Sequence, residues 1–401
     1  MSNDQYKNEV INPGDEASKI AKDICFKTHD FCPAVKIIPR QSNSFRGGVD
    51  FIWRDHILQE MIDGKMRMSV ENDGAGGKPQ FFTLLNTPEA FKGLGWEIIE
   101  MVAGDFARSG RFPAVIDNEM NVKKVTKSGL VLFKATMEGY ADALKETNLV
   151  NITGEVAIMK HSITAFCDDG SDDQFILTWG ASCLGLSHPD HYIDGSEIKP
   201  GMVIVGFYEP GYRCNGGTFF TNVLLKKFGP KISQIRENDE AMDFVKQLTI
   251  PSKGYTKTIT RLVGWTSDGR LGEPMAEIAG IAHITGGGVW GKFGELLPTG
   301  VGACLNSMPE PAPVLLKGQE FSWDIPGLRL NDWQAYGTLH GGCGMVLVCK
   351  TKQDAQIVIR EAQKDGVQAQ VIGKTFESMD NEIVIHSKFR EYKILSSLRP
   401  E

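Results

Sequence analysis

Two glycine-rich loops contain the residues of this chain that could do chemistry. In the first loop, Asp73 and Lys78 flank small residues that include Gly74 and Gly76. An aspartate supplies the hard oxygen ligand that Mg²⁺ prefers, and a lysine supplies a point charge for phosphate oxygens. The pattern predicts a site that holds Mg²⁺ and phosphate together. A simple turn with a surface lysine is the alternative that the same residues allow.

The second loop follows a short apolar run, residues 278–282, that predicts the end of a buried strand. It comprises Thr285, Gly286, Gly287 and Gly288. Glycine permits positive φ and lets the backbone come close to a ligand, so the N–H groups of such a loop suit a phosphate or another anion. A tight turn without a ligand is the alternative, because glycine clusters mark turns in general.

Two familiar nucleotide-binding motifs are excluded. Gly286, Gly291 and Lys292 have the spacing of a P-loop, but Phe293 stands where a hydroxyl group should bind Mg²⁺. No G-x-G-x-x-G sequence opens a helix after a strand, so a Rossmann dinucleotide site has no support.

Two further carboxylates could act with Asp73. Asp105 lies in a predicted helix, residues 94–109, and Glu155 follows a predicted buried strand, residues 149–152. Together the three side chains could form a carboxylate cage for a metal-bound triphosphate. Asp105 and Glu155 could instead both face solvent.

Two patterns that resemble metal sites are discounted. The acidic residues 168–173 lack the spacing and the closing glutamate of an EF-hand, so a solvated insertion is expected. His188 and His191 flank a proline turn, which favours a surface loop over a metal site.

The composition is that of an ordinary globular protein. Of the 401 residues, 41% are hydrophobic and 23% are charged. The net charge of −7 argues against a nucleic-acid partner. No apolar run is long enough to span a bilayer, and the polar N-terminus lacks the apolar core of a signal peptide. The eight cysteines include no Cys-x-x-Cys pair, which favours the reducing cytoplasm.

The apolar spacing predicts the elements that position the two loops. Helical periodicity over residues 133–144 and a following strand give the first half an alternating order of helices and strands. A break is predicted near Pro200, where the apolar residues 202–206 open a second unit. The length also favours two domains, which are placed at residues 1–199 and 200–401.

The C-terminal part predicts a β-α-β unit of an α+β domain. Residues 344–349 form the first strand, and a helix follows at Lys352–Lys364. Thr351 is the predicted N-cap of this helix, and Gly366 is the predicted stop. Residues 369–372 form the second strand.

The order of these motifs resembles one family, AIR synthase (phosphoribosylformylglycinamidine cyclo-ligase). The similar segments are residues 73–78 (family D-G-x-G-T-K), 153–155 (G-G-E-T), 211–216 (G-x-H-S-N-G), 283–288 (H-[IL]-T-G-G-G) and 336–340 (Y-R-T-F-N). The resemblance is collinear from about Tyr6 to Gly373. No single motif is decisive, but their order is specific.

The resemblance implies a two-domain α+β fold of the AIR synthase type. The N-terminal domain would have a mixed sheet and helices and would form a homodimer, and the C-terminal domain would be an α/β sandwich. The implied reaction is the ATP-dependent cyclisation of formylglycinamidine ribonucleotide to aminoimidazole ribonucleotide in de novo purine synthesis. ATP, Mg²⁺ and the ribonucleotide substrate are the implied ligands.

The resemblance also assigns site residues. It places the following at the metal, the phosphates or the shared cleft: Asp73, Gly74, Gly76, Lys78, Asp105, Glu155, Asn215, Thr285, Gly286, Gly287 and Gly288. Of these, Asp73, Asp105 and Glu155 would bind the metal. Asp105 and Arg213 are the catalytic candidates. Arg213 replaces a family histidine, and because a guanidinium stays protonated, it is predicted to bind phosphate and to take no part in proton transfer.

Several positions depart from the family motifs: Gly77, Gly104, Arg213, Lys292, Glu295, Gly337 and His340. They fall mainly where a side chain would touch substrate or nucleotide, so they bear on the substrate more than on the fold. Two alternatives follow. One is another ATP-using enzyme of the same superfamily, such as a small-molecule kinase or a selenophosphate synthetase. The other is a non-catalytic nucleotide-binding regulator.

Overall fold

The computed structural model describes residues 12–38 and 49–400, which form two compact units. The first unit holds the described residues up to Phe106 together with Phe112–Pro189 and Ser267–Arg270. The second unit holds Ala107–Arg111, Asp190–Thr266 and the described residues from Leu271 onward. None of the helices in these residues is long and apolar enough to cross a membrane.

The first unit contains a four-stranded mixed sheet and a separate two-stranded sheet. Its strands are β1 (Val35–Ile38), β2 (Asp50–Trp53), β3 (Arg67–Gly74), β4 (Phe112–Val122), β5 (Val150–Ile158) and β6 (Leu177–Ser187). Its helices are α1 (Asn12–Lys27), α2 (Asp55–Ile62), α3 (Pro79–Leu85), α4 (Pro88–Ala107) and α5 (Lys127–Thr147). The larger sheet has the order β3-β6-β4-β5, in which only β4 and β5 are parallel neighbours.

Helices α4 and α5 and one face of the larger sheet form the hydrophobic core of this unit. Ile98 of α4, Phe133 and Tyr140 of α5 and Ile116 of β4 belong to one cluster of buried residues. Burial of this apolar surface is the main favourable contribution to folding. The helical spacing predicted from the sequence is confirmed, and α4 begins at Pro88, earlier than predicted.

The two core helices cross at very close range because both carry glycine at the crossing. A Cβ atom on Gly139 would lie 1.8 Å from the carbonyl oxygen of Lys92, and one on Gly95 would lie 2.2 Å from the amide nitrogen of Tyr140. Only a residue without Cβ permits this approach. The crossing fixes α4, and with it Asp105, against the rest of the first unit.

The acidic insertion of residues 168–173 carries two ion pairs with the segment that precedes α5. Asp168 pairs with Lys123, and Asp172 pairs with Lys124 at 2.6 Å. The Asp172 side chain is 88% exposed, so this second pair adds little stability. The contacts agree with the expected solvated insertion.

The second unit is built on a seven-stranded sheet with the order β13-β12-β9-β11-β7-β10-β8. The strands are β7 (Val203–Tyr208), β8 (Ile278–His283), β9 (Gly300–Leu305), β10 (Cys343–Cys349), β11 (Ala369–Ser378), β12 (Ile383–His386) and β13 (Ile394–Ser396). The helices are α6 (Gly217–Phe228), α7 (Ile232–Arg236), α8 (Asp239–Leu248), α9 (Thr256–Leu262), α10 (Gly288–Lys292), α11 (Pro313–Ser322), α12 (Asp332–Thr338) and α13 (Lys352–Lys364). The neighbours β9 and β12 are parallel, and the other pairs in this sheet are antiparallel.

The predicted β-α-β unit is confirmed as β10, α13 and β11. Both strands pair with β7, which lies between them. The Thr351 hydroxyl accepts a hydrogen bond from the Asp354 amide at 3.1 Å, which caps α13. Gly366 follows the helix with φ +67°, a conformation that glycine adopts without strain. Together with the mixed sheet of the first unit, this arrangement confirms the α+β class.

Candidate functional site

The predicted glycine loop connects the buried strand β8 to the short helix α10. Two backbone hydrogen bonds, each 3.0 Å long, hold its ends: the Ile284 amide donates to Gly344, and the Gly288 amide donates to Thr285. The tip, residues 286–287, is exposed. The loop therefore has fixed ends and a tip that a ligand can reach.

Glycine is required at the end of this loop but not at Gly286. Gly287 and Gly288 have φ values of +91° and +59°, which favour glycine. A Cβ atom on Gly288 would lie 2.2 Å from the carbonyl oxygen of Tyr336, so the loop packs onto the backbone of α12. At Gly286, a Cβ atom would meet only Asn215 Oδ1 within 4 Å, at 3.7 Å.

Asn215 lies beside the tip of the glycine loop and just before α6. Its Nδ2 atom is buried and has no hydrogen-bond partner among the described residues. Buried polar atoms in folded proteins are nearly always hydrogen-bonded, because an unsatisfied donor costs free energy. The structure thus brings together two of the predicted site segments, and it leaves the amide of Asn215 as a donor beside Gly286.

Arg213 lies inside the second unit, where its side chain is fully buried. Its Nη1 donates to Glu209 Oε2 at 2.5 Å, and its Nη2 donates to His283 Nε2 at 2.7 Å. The guanidinium carbon is 5.0 Å from the ring centre of Tyr255. These contacts correct the interpretation of Arg213: they give its predicted phosphate role no structural basis, because the guanidinium is enclosed by other protein groups.

Glu209 and Tyr255 complete this buried cluster. The Tyr255 hydroxyl donates to Glu209 Oε2 at 3.0 Å and lies 2.8 Å from the carbonyl oxygen of Tyr208. Burial, with the Glu209 carboxylate beside the ring, raises the pKa of Tyr255 well above its ordinary value, so the phenol stays a donor. The sequence motif included His283 without a role for it, and Glu209 was not identified at all. Polar residues directly at the ends of apolar strands are a signal that could have found both.

In the first unit, Asp73 and Glu155 lie on opposite faces of the four-stranded sheet. Asp73 is aligned across the strands with Ala181, Asn118 and Gly154, and Ala181 belongs to the buried core. Glu155 is the next residue after Gly154 and is exposed. Successive residues of a strand point to opposite faces, so the two carboxylates do not converge on one ion.

A β-bulge gives the physical reason for this separation. Ile116 of β4 pairs with Asn151 of β5, but the next residue, Asp117, pairs with Thr153. One residue of β5 is therefore skipped, and every later residue of that strand changes face. Without the bulge, Glu155 would stand on the same face as Asp73.

Lys78 is fully buried at the start of α3, in an ion pair with an equally buried carboxylate. Its Nζ atom lies 2.7 Å from Glu97 Oε1 of α4, and both side chains are 0% exposed. Buried charges are rare unless they are paired. This position rules out the alternative of a surface lysine, and the ammonium charge is directed to Glu97. The predicted contact of Lys78 with phosphates stays a prediction.

The predicted carboxylate cage is not present. Among the residues that the structure describes, no group of three or more His, Cys, Asp or Glu side chains could hold a metal ion. Asp105 is half-buried on α4, and the Asp73 carboxylate accepts a hydrogen bond from the Gly74 amide at 2.7 Å. Asp73 and Asp105 stay separate predictions for contacts with Mg²⁺ and ATP, and Glu155 is removed from their site.

Glu155 belongs instead to a polar concave surface of 510 Å³ on the other face of this sheet. Asp117 and Glu119 of β4 also line this surface, and Glu119 stands directly opposite Glu155. Neither residue was predicted from the sequence. The alternation of polar side chains at Asp117, Glu119 and Asn121 was the signal that could have found them.

Two of the departures from the family motifs have local explanations. His340 is buried, and its Nε2 donates to the Gly211 carbonyl at 2.8 Å while its Nδ1 accepts from the Gly342 amide at 3.1 Å. A Cβ atom on Gly337 would lie 3.3 Å from the Trp290 ring. His340 thus holds the segment before Asn215, and Trp290 takes the space beside Gly337.

Comparison with known proteins finds a family model and curated relatives similar to this chain. The family described as "AIR synthase related protein, C-terminal domain" matches residues 270–386. Over 317 residues the chain is 25% identical to a phosphoribosylformylglycinamidine cyclo-ligase of Bacillus pumilus (strain SAFR-032). The aligned residues make up 79% of this chain and 82% of the relative.

Two solved structures share the fold. The thiamine-monophosphate kinase from Stenotrophomonas maltophilia K279a has a TM-score of 0.54 at 12% identity, over 93% of this chain and 97% of that one. The hydrogenase maturation protein HypE in complex with ATP has a TM-score of 0.51 at 12% identity, over 96% and 94%. At these identities the likeness shows the fold alone.

Proposed function

We propose that this chain is a divergent member of the AIR synthase family and that it closes the imidazole ring of formylglycinamidine ribonucleotide at the expense of ATP, as a C–N ligase of de novo purine synthesis in the cytoplasm. The observation that carries the proposal is the position of Asn215 beside Gly286. These residues belong to two separate motifs of the resemblance, and they meet around an exposed loop with a free amide donor.

The proposed chemistry has two steps. The substrate amide oxygen attacks the terminal phosphorus of ATP and forms an O–P bond, and ADP leaves. An amidine nitrogen then attacks the activated carbon, the C–O bond breaks, phosphate leaves, and the nitrogen loses a proton to water. Charge stabilisation and positioning are expected to supply most of the rate.

The residues of this chain have binding roles in the proposal. The exposed tip of the glycine loop offers backbone N–H groups to phosphate oxygens, and Asn215 Nδ2 offers a side-chain donor beside them. The described residues hold no preformed metal centre, so Mg²⁺ is expected to be bound mainly by phosphates, with Asp73 and Asp105 as candidate ligands. When bound, Mg²⁺ would neutralise phosphate charge.

A second candidate is the phosphorylation of a different small molecule by ATP. The departures at Gly337 and His340 favour this candidate. The Trp290 ring beside Gly337 and the hydrogen bond of the buried His340 change the surroundings of the glycine loop. The fold that the chain shares with a thiamine-monophosphate kinase is compatible with this candidate.

A coupled assay with ATP, in which formylglycinamidine ribonucleotide is the sole acceptor of the phosphoryl group, separates the two candidates. We expect release of ADP together with aminoimidazole ribonucleotide in equal amounts. Asn215→Ala should lower kcat/KM by about tenfold, because a hydrogen bond to a charged ligand is lost. Asn306→Ala, which changes an exposed asparagine elsewhere in the second unit, is the matched control. Absence of ring closure, with or without ATP hydrolysis, would contradict the ligase and leave the kinase of a different small molecule as the candidate.

The proposal includes a homodimer formed through the first unit. β3 is at the edge of its sheet, and it exposes Met68 and Val70 by 61% and 60%. Exposed apolar side chains on an edge strand favour pairing with another chain. Light scattering at micromolar concentration should give twice the chain mass of 44.2 kDa. Val70→Lys should yield the monomer, whereas Met379→Lys, at an 88% exposed position of the second unit, should not. A wild-type monomer would exclude the dimer.

A further inference from the structure

The Arg213 guanidinium links the segment that leads to Asn215 with the strand that leads to the glycine loop of residues 285–288. Its Nη1 contacts Glu209 Oε2, and its Nε and Nη2 contact His283 Nε2 at 3.1 and 2.7 Å. Glu209 directly follows β7, and His283 is the last residue of β8. One side chain therefore ties the ends of two strands that are not neighbours in the sheet, because β10 lies between them.

The two strand ends lead directly to the ligand-binding candidates. The segment after Glu209 carries Arg213 and then Asn215, and the segment after His283 carries Gly286. Asn215 and Gly286 meet, with the Asn215 Oδ1 atom 3.7 Å from the position of a Cβ on Gly286. Arg213 therefore links these two segments inside the unit, and Asn215 lies beside the loop tip that they position.

The backbone of Arg213 also indicates a constrained position. Its φ of +60° is in the left-handed region, which is unfavourable for a residue with a Cβ atom. Such a conformation persists only where the surroundings fix it, and it is common at functional sites. The carboxylate, the imidazole and the Tyr255 ring provide that constraint here.

We infer that Arg213 is a positioning residue that holds Asn215 against the glycine loop. The role needs the planar fork of arginine, whose separate N–H groups reach a carboxylate and an imidazole at the same time. Because His283 Nε2 accepts from Arg213, the imidazole is neutral and carries its proton on Nδ1. The inference rests on the proposed function only for the identity of the bound ligand.

Hydrogen exchange of the ligand-free protein tests the inference without reference to substrate. The amides of Ile284 and Gly288 are hydrogen-bonded at the two ends of the loop and serve as probes. Arg213→Lys should speed their exchange by about tenfold, because one charged hydrogen bond of the fork is lost and the loop opens locally. Arg261→Lys is the matched control, since Arg261 makes a similar two-bond contact with Asp365 elsewhere in the second unit, at 2.8 and 3.3 Å.

Three results of this experiment are informative. Faster exchange confined to the loop in Arg213→Lys, with no change there in Arg261→Lys, supports the inference. Unchanged exchange in Arg213→Lys overturns it. A uniform increase across the second unit also overturns it, because Arg213 would then stabilise the fold in general. Titration of the wild type with ATP gives an independent readout: absent binding would count against the proposed function, while the exchange result would stand.

Discussion

Replacing Lys78 with methionine is expected to lower the free energy of unfolding by about 3–5 kcal/mol. The substitution leaves the Glu97 carboxylate fully buried and without the ammonium group that lies 2.7 Å from it. Removing the counter-charge of a buried carboxylate is much more costly than removing a surface contact. Chemical denaturation of the purified variant, followed by fluorescence, measures the effect.

A matched control is available on α4, the helix that carries Glu97. Lys92 of α4 forms a 2.9 Å ion pair with Asp142, but both side chains are about half exposed, at 51% and 54%. Lys92→Met should therefore change the stability by only about 0–1 kcal/mol. Equal losses in the Lys78 and Lys92 variants would show that the burial of Lys78 is not what determines its contribution.

The double variant Lys78→Met, Glu97→Leu separates the structural role from the predicted phosphate role. Replacing both members of a buried ion pair with apolar residues is often close to neutral for stability. We expect the double variant to regain most of the lost stability and to keep a KM for ATP near that of the wild type. A stable double variant with a greatly raised KM for ATP would instead restore the phosphate role that the sequence predicts.

Local sequence signals predicted the elements well where the determinants are themselves local. The bounds of α13 were predicted from the Thr351 cap, the Gly366 stop and the apolar spacing between them, and each of these signals acts within one turn of the helix. The β8 strand and its glycine loop were found for the same reason. The meeting of Asn215 with Gly286 could be expected only from the order of the family motifs, because 71 positions separate them in the chain.

The predictions that failed depended on partners distant in sequence. The carboxylate cage required Asp73 and Glu155 on one face, but the bulge at Asp117 reverses the alternation of β5. No local pattern in residues 150–155 encodes that register, since pairing with β4 decides it. The burial of Lys78 was not predicted for the same reason, because its counter-charge, Glu97, lies on the following helix.

Arg213, in the second unit, is another residue whose surroundings depend on partners distant in sequence. Its partner His283 is 70 residues away, and its burial follows from the packing of β7, β10 and β8. A sequence motif identifies where an arginine replaces the family histidine but not which groups surround it. The positive charge of Arg213 is therefore known from the sequence, whereas the protein groups that this charge contacts could not be predicted.

Replacing Gly286 with alanine is expected to lower kcat/KM for the proposed reaction by roughly a hundredfold, as expected when a bound group is displaced by about 1 Å. The added methyl would stand on the exposed tip of the loop, where the backbone must come close to the phosphate. The fold should tolerate it, because Gly286 does not have positive φ and the Cβ would meet only Asn215 Oδ1, at 3.7 Å.

Gly291→Ala is the control for Gly286→Ala, since Gly291 lies in α10 only five positions later and a Cβ there would have no neighbour within 4 Å. Alanine also favours a helix over glycine by about 1 kcal/mol, so this variant should be as stable as the wild type and fully active. Steady-state kinetics and thermal denaturation of both variants complete the comparison. Wild-type kinetics in Gly286→Ala would remove the loop tip from the ligand site, because no ligand that touches this backbone could ignore the added methyl group.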